Sequence, residues 1–159
     1  MSYRGPFVLA FAVAASLGLC GYQHEAMPLQ YNPTHFVNND PGWNLLNEAK
    51  VTSDTGKGEF TADFPGDVRH LEAKPFGISG FMMPLEATPR TLHFVLVRRN
   101  TACPFCPPNT PTEAIEVFSR GLVKYTGEEV TVKGRLKLVS SSAQGLFYQL
   151  ESADVTPAS

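Results

Sequence analysis

Glu129-Val130-Thr131-Val132-Lys133-Gly134-Arg135-Leu136-Lys137-Leu138-Val139 alternates apolar and polar residues and carries a glycine at its centre. A period of two puts one face of a strand on a core and the other in water. The central glycine packs nothing, so its use is geometric: it lets a strand bend or another backbone come close. The same phrasing recurs in Phe76-Gly77-Ile78-Ser79-Gly80-Phe81-Met82-Met83-Pro84-Leu85, which Pro84 stops. Leu92-His93-Phe94-Val95-Leu96-Val97-Arg98 is apolar on both faces apart from His93, which predicts a central strand. Residues 112–118 fit a helical turn or a strand, and their β-branched content favours the strand. After the loop 140–144, Gly145-Leu146-Phe147-Tyr148-Gln149-Leu150-Glu151 reads as another. Short strands with glycines set mid-strand predict a mainly β chain closed into a small OB-like barrel with an N-terminal extended arm. A two-sheet β-sandwich is the alternative.

Upstream the pattern changes. Arg4 is the only charge before the small-apolar run Phe7 to Leu19, and polar sequence follows at once. That is the layout of a secretory signal peptide, and the run is short for a membrane span. The expected organisation is a signal peptide over 1–21, a polar arm over 22–40, a single β domain over 41–155 and a tail over 156–159. Asp40 is placed to cap a helical turn starting at Pro41 that docks Trp43 and Leu46 on the core. Residues 52–66 read as loop, with Phe60 and Phe64 tucked inward. The expected address is the periplasm. Cys20 closes the apolar run as a lipidated cysteine would, although Leu19 stands where a small residue is usual, so a lipoprotein anchored at Cys20 is the alternative.

The full chain carries 13 Lys and Arg against 15 Asp and Glu. Loss of a leader removes only Arg4 from that balance, and the mature chain stays acidic. Such a balance gives no electrostatic reason to bind nucleic acid. No G-x-S-x-G elbow, H-E-x-x-H pair or phosphate-cradling glycine loop occurs, so hydrolytic chemistry has no support in the sequence.

The chemistry sits in Cys103-Pro104-Phe105-Cys106-Pro107-Pro108. Two cysteines three positions apart can close a disulfide, exchange electrons or give a metal two thiolates. In an oxidising compartment a structural disulfide is a serious reading, because Cys103 and Cys106 are the only pair left once Cys20 is cleaved off or lipidated. Thiol oxidoreductases place the pair at a helix N-terminus, and Pro107, Pro108 and Pro111 oppose a helix here. A metal needs further donors. His93 precedes the loop on the apolar strand; Glu86, and for a softer ion such as copper(I) Met82 or Met83, are weaker candidates. A lone histidine on an apolar strand is more often a hydrogen-bonded core residue than a ligand, and Glu86 beside a proline is most often solvated. Two adjacent methionines in a strand point to opposite faces. His24, Met27 and His35 lie in the arm and carry little weight.

Taken together, Gly80-Phe81-Met82-Met83-Pro84-Leu85-Glu86, His93-Phe94-Val95-Leu96-Val97 and the cysteine-proline loop resemble one uncharacterised family of small exported bacterial proteins. The resemblance takes in Trp43, Gly134 and Gly145 to Tyr148, and so spans about residues 40–155. It implies a role in metal handling, because genes of the family stand beside ABC transporters, some of them zinc-responsive. The expectation is an exported, non-enzymatic accessory protein that binds or relays zinc for a membrane transporter through Cys103, Cys106 and His93. Copper, or no metal, is the alternative. A protein-interaction adaptor stapled by a Cys103–Cys106 disulfide and a periplasmic thiol oxidoreductase are the other readings. The expected partner is an ABC transporter or another envelope protein, with membrane contact only through that partner or a lipid on Cys20.

Overall fold

The computed structural model describes residues 36–54, 56, 58–102 and 108–158, so the segments expected to be a signal peptide (1–21) and most of a polar arm (22–40) lie outside the described residues. Helix α1 (Pro41–Leu46) opens the described chain, followed by strands β1 (Lys50–Asp54) and β2 (Glu59–Asp63) and a single helical turn, α2 (Gly66–Arg69). Then come β3 (Pro75–Pro84), β4 (Arg90–Val97), a 3-10 turn at Pro111–Glu113 and β5 (Ala114–Lys124). Strands β6 (Glu129–Leu138), β7 (Ser141–Ser142) and β8 (Tyr148–Pro157) complete it.

Five strands close a barrel in the order β3-β4-β5-β8-β6, with β6 returning to β3. All its pairs are antiparallel except β5 with β8. The five-stranded Greek-key order makes this an OB-like barrel, not a sandwich. A separate three-stranded sheet, β1-β2-β7, accompanies it. Its β1–β2 hairpin falls where the sequence reads as loop, because KVTSD and EFTAD bury almost nothing and so carry no alternation of hydrophobicity. Phe64 is nonetheless buried and Phe60 packs on the core, as their sequence context predicts. Strand β8 also runs to Pro157, past the end expected at Glu151.

The barrel interior is filled by Ile78, Met82, Phe94, Leu96, Ile115, Val117, Val132, Leu136 and Leu150. Helix α1 adds Trp43 and Leu46, both fully buried. Its start is set by Asp40, whose Oδ1 accepts the Gly42 N–H at 2.8 Å, with proline at the position that needs no donor. The other carboxylate oxygen of Asp40 accepts the Ser79 N–H at 3.0 Å, and the Trp43 indole N–H donates to the Ser79 carbonyl at 2.7 Å. One short helix is thereby fastened to β3 by both partners of a single residue. A smaller cluster lies on the opposite faces of β3 and β4, where Phe81, Val95, Val97 and Ala114 are buried with Met83 and Leu146 packed against them. Strand β4 is therefore apolar on both faces because both faces are covered over Phe94–Val97.

Gly80 and Gly134 are both required by close approach. A Cβ on Gly80 would stand 2.7 Å from the Val97 carbonyl oxygen and 3.1 Å from Trp43, and one on Gly134 would stand 2.9 Å from the Glu151 carbonyl. At Gly77 an added Cβ meets only the Lys133 side chain, at 3.1 Å, which can swing away. Gly80→Ala is expected to lose about 1–3 kcal/mol or more in urea unfolding, as overpacking against backbone does, while Gly77→Ala stays close to wild type. Equal losses at the two positions would contradict this account of barrel closure.

Candidate functional site

Cys103 and Cys106 lie outside the described residues; both feet of their loop lie within them. The first foot leaves β4 at Val97 and the second enters β5 through the 3-10 turn. Asn109 joins them. Its Oδ1 accepts the Arg99 N–H at 2.8 Å and its Nδ2 donates to the Arg99 carbonyl at 3.0 Å. A side-chain amide thus mimics a paired strand residue, leaving residues 100–108 as the loop proper. On its other side Arg99 forms a β-bridge with Val37, and the Asn100 N–H donates to the Phe36 carbonyl at 2.8 Å. Asn100 itself accepts from Ala102 and donates to the Gly127 carbonyl at 3.2 Å.

Beneath the clamp sits Glu113, only 2% exposed. Thr110 and Glu113 form a reciprocal capping box, in which Glu113 Oε2 accepts the Thr110 N–H at 3.1 Å. Arg98 reaches the same carboxylate at 3.4 Å, and Arg99 makes a short charge-assisted bond to it. Burial by itself would raise the Glu113 pKa, but the Thr110 N–H and the Arg99 guanidinium outweigh it and hold the carboxyl below its usual value. Two arginines against one carboxylate leave the loop base with an excess of positive charge. The signal for this anchor is present in the sequence as Thr110-Pro111-Thr112-Glu113, a local capping-box pattern.

A cleft of about 480 Å³ opens beside the clamp, lined among others by Met83, Val97, Arg99, Asn109, Pro111 and Leu146. Met83 faces it, while Met82 is buried in the barrel, so the paired methionines do point to opposite faces. Glu86 is exposed in the turn between β3 and β4.

His93 is hydrogen-bonded, but it stands on the outer side of β4 with its side chain 39% exposed. Its Nε2 is 2.7 Å from Glu116 Oε1, and Gln149 donates to the other Glu116 oxygen at 2.7 Å. The Phe118 ring stacks on the imidazole with centroids 4.5 Å apart. Register explains the grouping: His93 is paired with Phe118 and Val95 with Glu116 across β4–β5, and Glu116 with Gln149 across β5–β8. A histidine oriented by a carboxylate that is itself oriented by an amide is the outer-shell arrangement of metal-binding imidazoles. It is also a sufficient way to satisfy a half-exposed polar face. Among the described residues no group of three or more His, Cys, Asp or Glu is gathered to hold a metal.

Residues 46–157 match the DUF3299 family, proteins of unknown function. The chain belongs to that family. This agrees with the expectation of an uncharacterised family, and says nothing of transporters or zinc. The crystal structure of a DUF3299 family protein from Pseudomonas aeruginosa PAO1 is similar at 20% identity, with a TM-score of 0.48, over 62% of this chain and 68% of that one. No curated protein matches the chain.

The lowered pKa of Glu113 fixes a pH dependence. In the unfolded chain a glutamate titrates near pH 4.3, and in the folded protein lower. The folded state therefore binds fewer protons in that window, and the contribution of Glu113 is full above pH ~5 and is lost as pH falls through the folded pKa. Glu113→Gln is expected to be less stable than wild type at pH 7 in denaturant unfolding, with the gap narrowing towards pH 3. Parallel stability curves from pH 7 to pH 3 would rule out the clamp carboxylate as charged.

Proposed function

We propose that this chain is an exported, non-enzymatic accessory protein that binds zinc at Cys103 and Cys106 and relays it to a membrane transporter. The observation that carries the reading is the clamp: Asn109 and buried Glu113 fix both feet of the cysteine loop, so the cost of bringing its ends together is already met before any ligand binds. Cys103 is four residues beyond Arg99, a reach of up to about 13 Å. His93 is six residues before Arg99, about 20 Å back along the extended strand, farther than that reach. His93 is proposed as a third donor on its orientation by Glu116, not on chain length. Two thiolates, one imidazole and a water make a tetrahedral set with an exchangeable position, which suits a relay more than a permanent structural site.

Magnitude weighs against the staple. A Cys103–Cys106 bridge closes a loop of only four residues, worth about 2 kcal/mol in the chain-entropy description. The oxidoreductase reading fares worse, since the first helical turn after the pair is the three-residue Pro111–Glu113, too short and too late to lower a thiol pKa.

Zinc titration against a chromophoric chelator tests the proposal. Wild type is expected to take one zinc per chain. Cys103→Ser with Cys106→Ser should weaken binding at least 100-fold with an unchanged circular dichroism spectrum, and His93→Ala about 10–100-fold. Asn109→Ala, which frees the feet and leaves every donor in place, should weaken it about tenfold. Wild type that takes no zinc, or a double serine variant that binds as wild type does, would refute the site.

A further inference from the structure

Register places Lys133 opposite Asp154 and Arg135 opposite Glu151 across β6–β8. Both cations are exposed on the outer face, while Val132 and Leu136 beside them fill the interior. Opposite charges set directly across a sheet ordinarily pair. Neither of these does. Asp154 is held by Arg120 at 3.3 Å and Glu151 by Lys137 at 3.6 Å. Lys133 and Arg135 therefore have no ion-pair partner among the described residues.

On the other side of β6, Lys133 faces Gly77 and Arg135 faces Pro75. A Cβ on Gly77 would stand 3.1 Å from Lys133 Cγ and 3.7 Å from its Cε, so the lysine stem lies over the bare glycine. The two cations are two residues apart on one face, about 6.6 Å along the strand. Like charges so placed repel, and a bound dianion would relieve them.

The surroundings are shaped to match. A cleft of about 640 Å³ holds both cations, with Pro75 and Phe76 on its β3 side and Glu151 and Asp154 on its β8 side. Ala73, with φ 60°, and Ser152, with φ 50°, line it too, and no other non-glycine among the described residues has a positive φ. Ala73 leads into β3 and Ser152 lies in β8, so one stands on either side of β6. Side chains are disfavoured in the left-handed region, and residues held there gather at functional sites. Arg120, Lys133, Arg135 and the adjoining Lys137 outnumber the two carboxylates by two, in a chain whose net charge is −2.

We propose that this cleft binds a phosphomonoester group. Such a group is close to a dianion at pH 7, and a guanidinium fork beside an ammonium point charge suits its oxygens. Arg135 takes two of those oxygens and Lys133 the third, with Pro75 and Phe76 against the organic part. Asp154 and Glu151 keep their own cations and fence the β8 side. A soluble phosphate ester and a lipid headgroup offer the same group. The inference goes beyond the zinc reading and uses neither cysteine nor His93, so either can fail alone.

Two titrations of the full chain test it: glycerol phosphate followed by amide chemical shifts, and sedimentation with phosphatidic acid vesicles against phosphatidylcholine vesicles. Saturable shifts are expected at Gly77, Gly134 and Ser152. Lys133→Gln with Arg135→Gln should weaken whichever ligand binds at least tenfold, with an unchanged melting curve. Asp154→Asn, which removes a carboxylate from the wall, should tighten it about threefold. Arg90→Gln with Lys124→Gln makes the same change of charge at exposed positions outside the cleft and should have no effect. Binding of glycerol phosphate supports a soluble ester; binding of phosphatidic acid vesicles without it supports a lipid headgroup. Neither ligand bound, shifts confined to other surfaces, or equal losses in the two double variants would overturn the proposal.

Discussion

At Gly80 the backbone of β3 is pressed between the Val97 carbonyl and the indole of Trp43, with no room for a methyl group. The neighbouring Ser79 gives its carbonyl to Trp43 and its N–H to Asp40. One point on one strand therefore sets the approach of β4, the seat of α1 and the position at which the interior is sealed by its largest side chain. Close-packed interiors do not absorb such contacts by yielding. The end of β4 is fixed by the same contact, since Val97 is where β4 stops and the cysteine loop begins.

The loop base inherits that rigidity and adds an electrostatic anchor of its own. A carboxylate as buried as Glu113 costs free energy unless its charge is met by hydrogen bonds and opposite charge. Here Thr110, Arg98 and Arg99 meet it, and the same Arg99 is gripped through its backbone by Asn109. Orientation of the arginine, closure of the loop and burial of the carboxylate are thus one arrangement. The site and the fold share residues, so the loop can be held firm without a helix or a large sheet behind it.

Much of this was legible from local pattern. Alternation marks β6, an apolar run covered on both faces marks β4, the two mid-strand glycines mark the tight approaches, and Asp40-Pro41 marks the start of α1. Each of those signals is a property of adjacent residues. What escaped depends on residues distant in sequence. The β1–β2 hairpin is held by strand pairing with little burial, so its exposed residues show no period. The His93–Glu116–Gln149 chain exists only through the register of three strands, one of them parallel, and no periodicity encodes a register. The register shift of β8 beside Ser152, whose φ is 50°, reads as ordinary sequence. Glu113 was within reach, because its capping box is a local motif; burial of the charge was not.

The most direct test of the zinc-relay reading is intact mass, under native and then denaturing conditions, on chain purified without chelator from cells that make it. The account predicts a chain whose denatured mass is that of two free thiols and whose native mass carries one zinc. A denatured mass two units lower, with no metal retained under native conditions, would mean a Cys103–Cys106 disulfide and would contradict it.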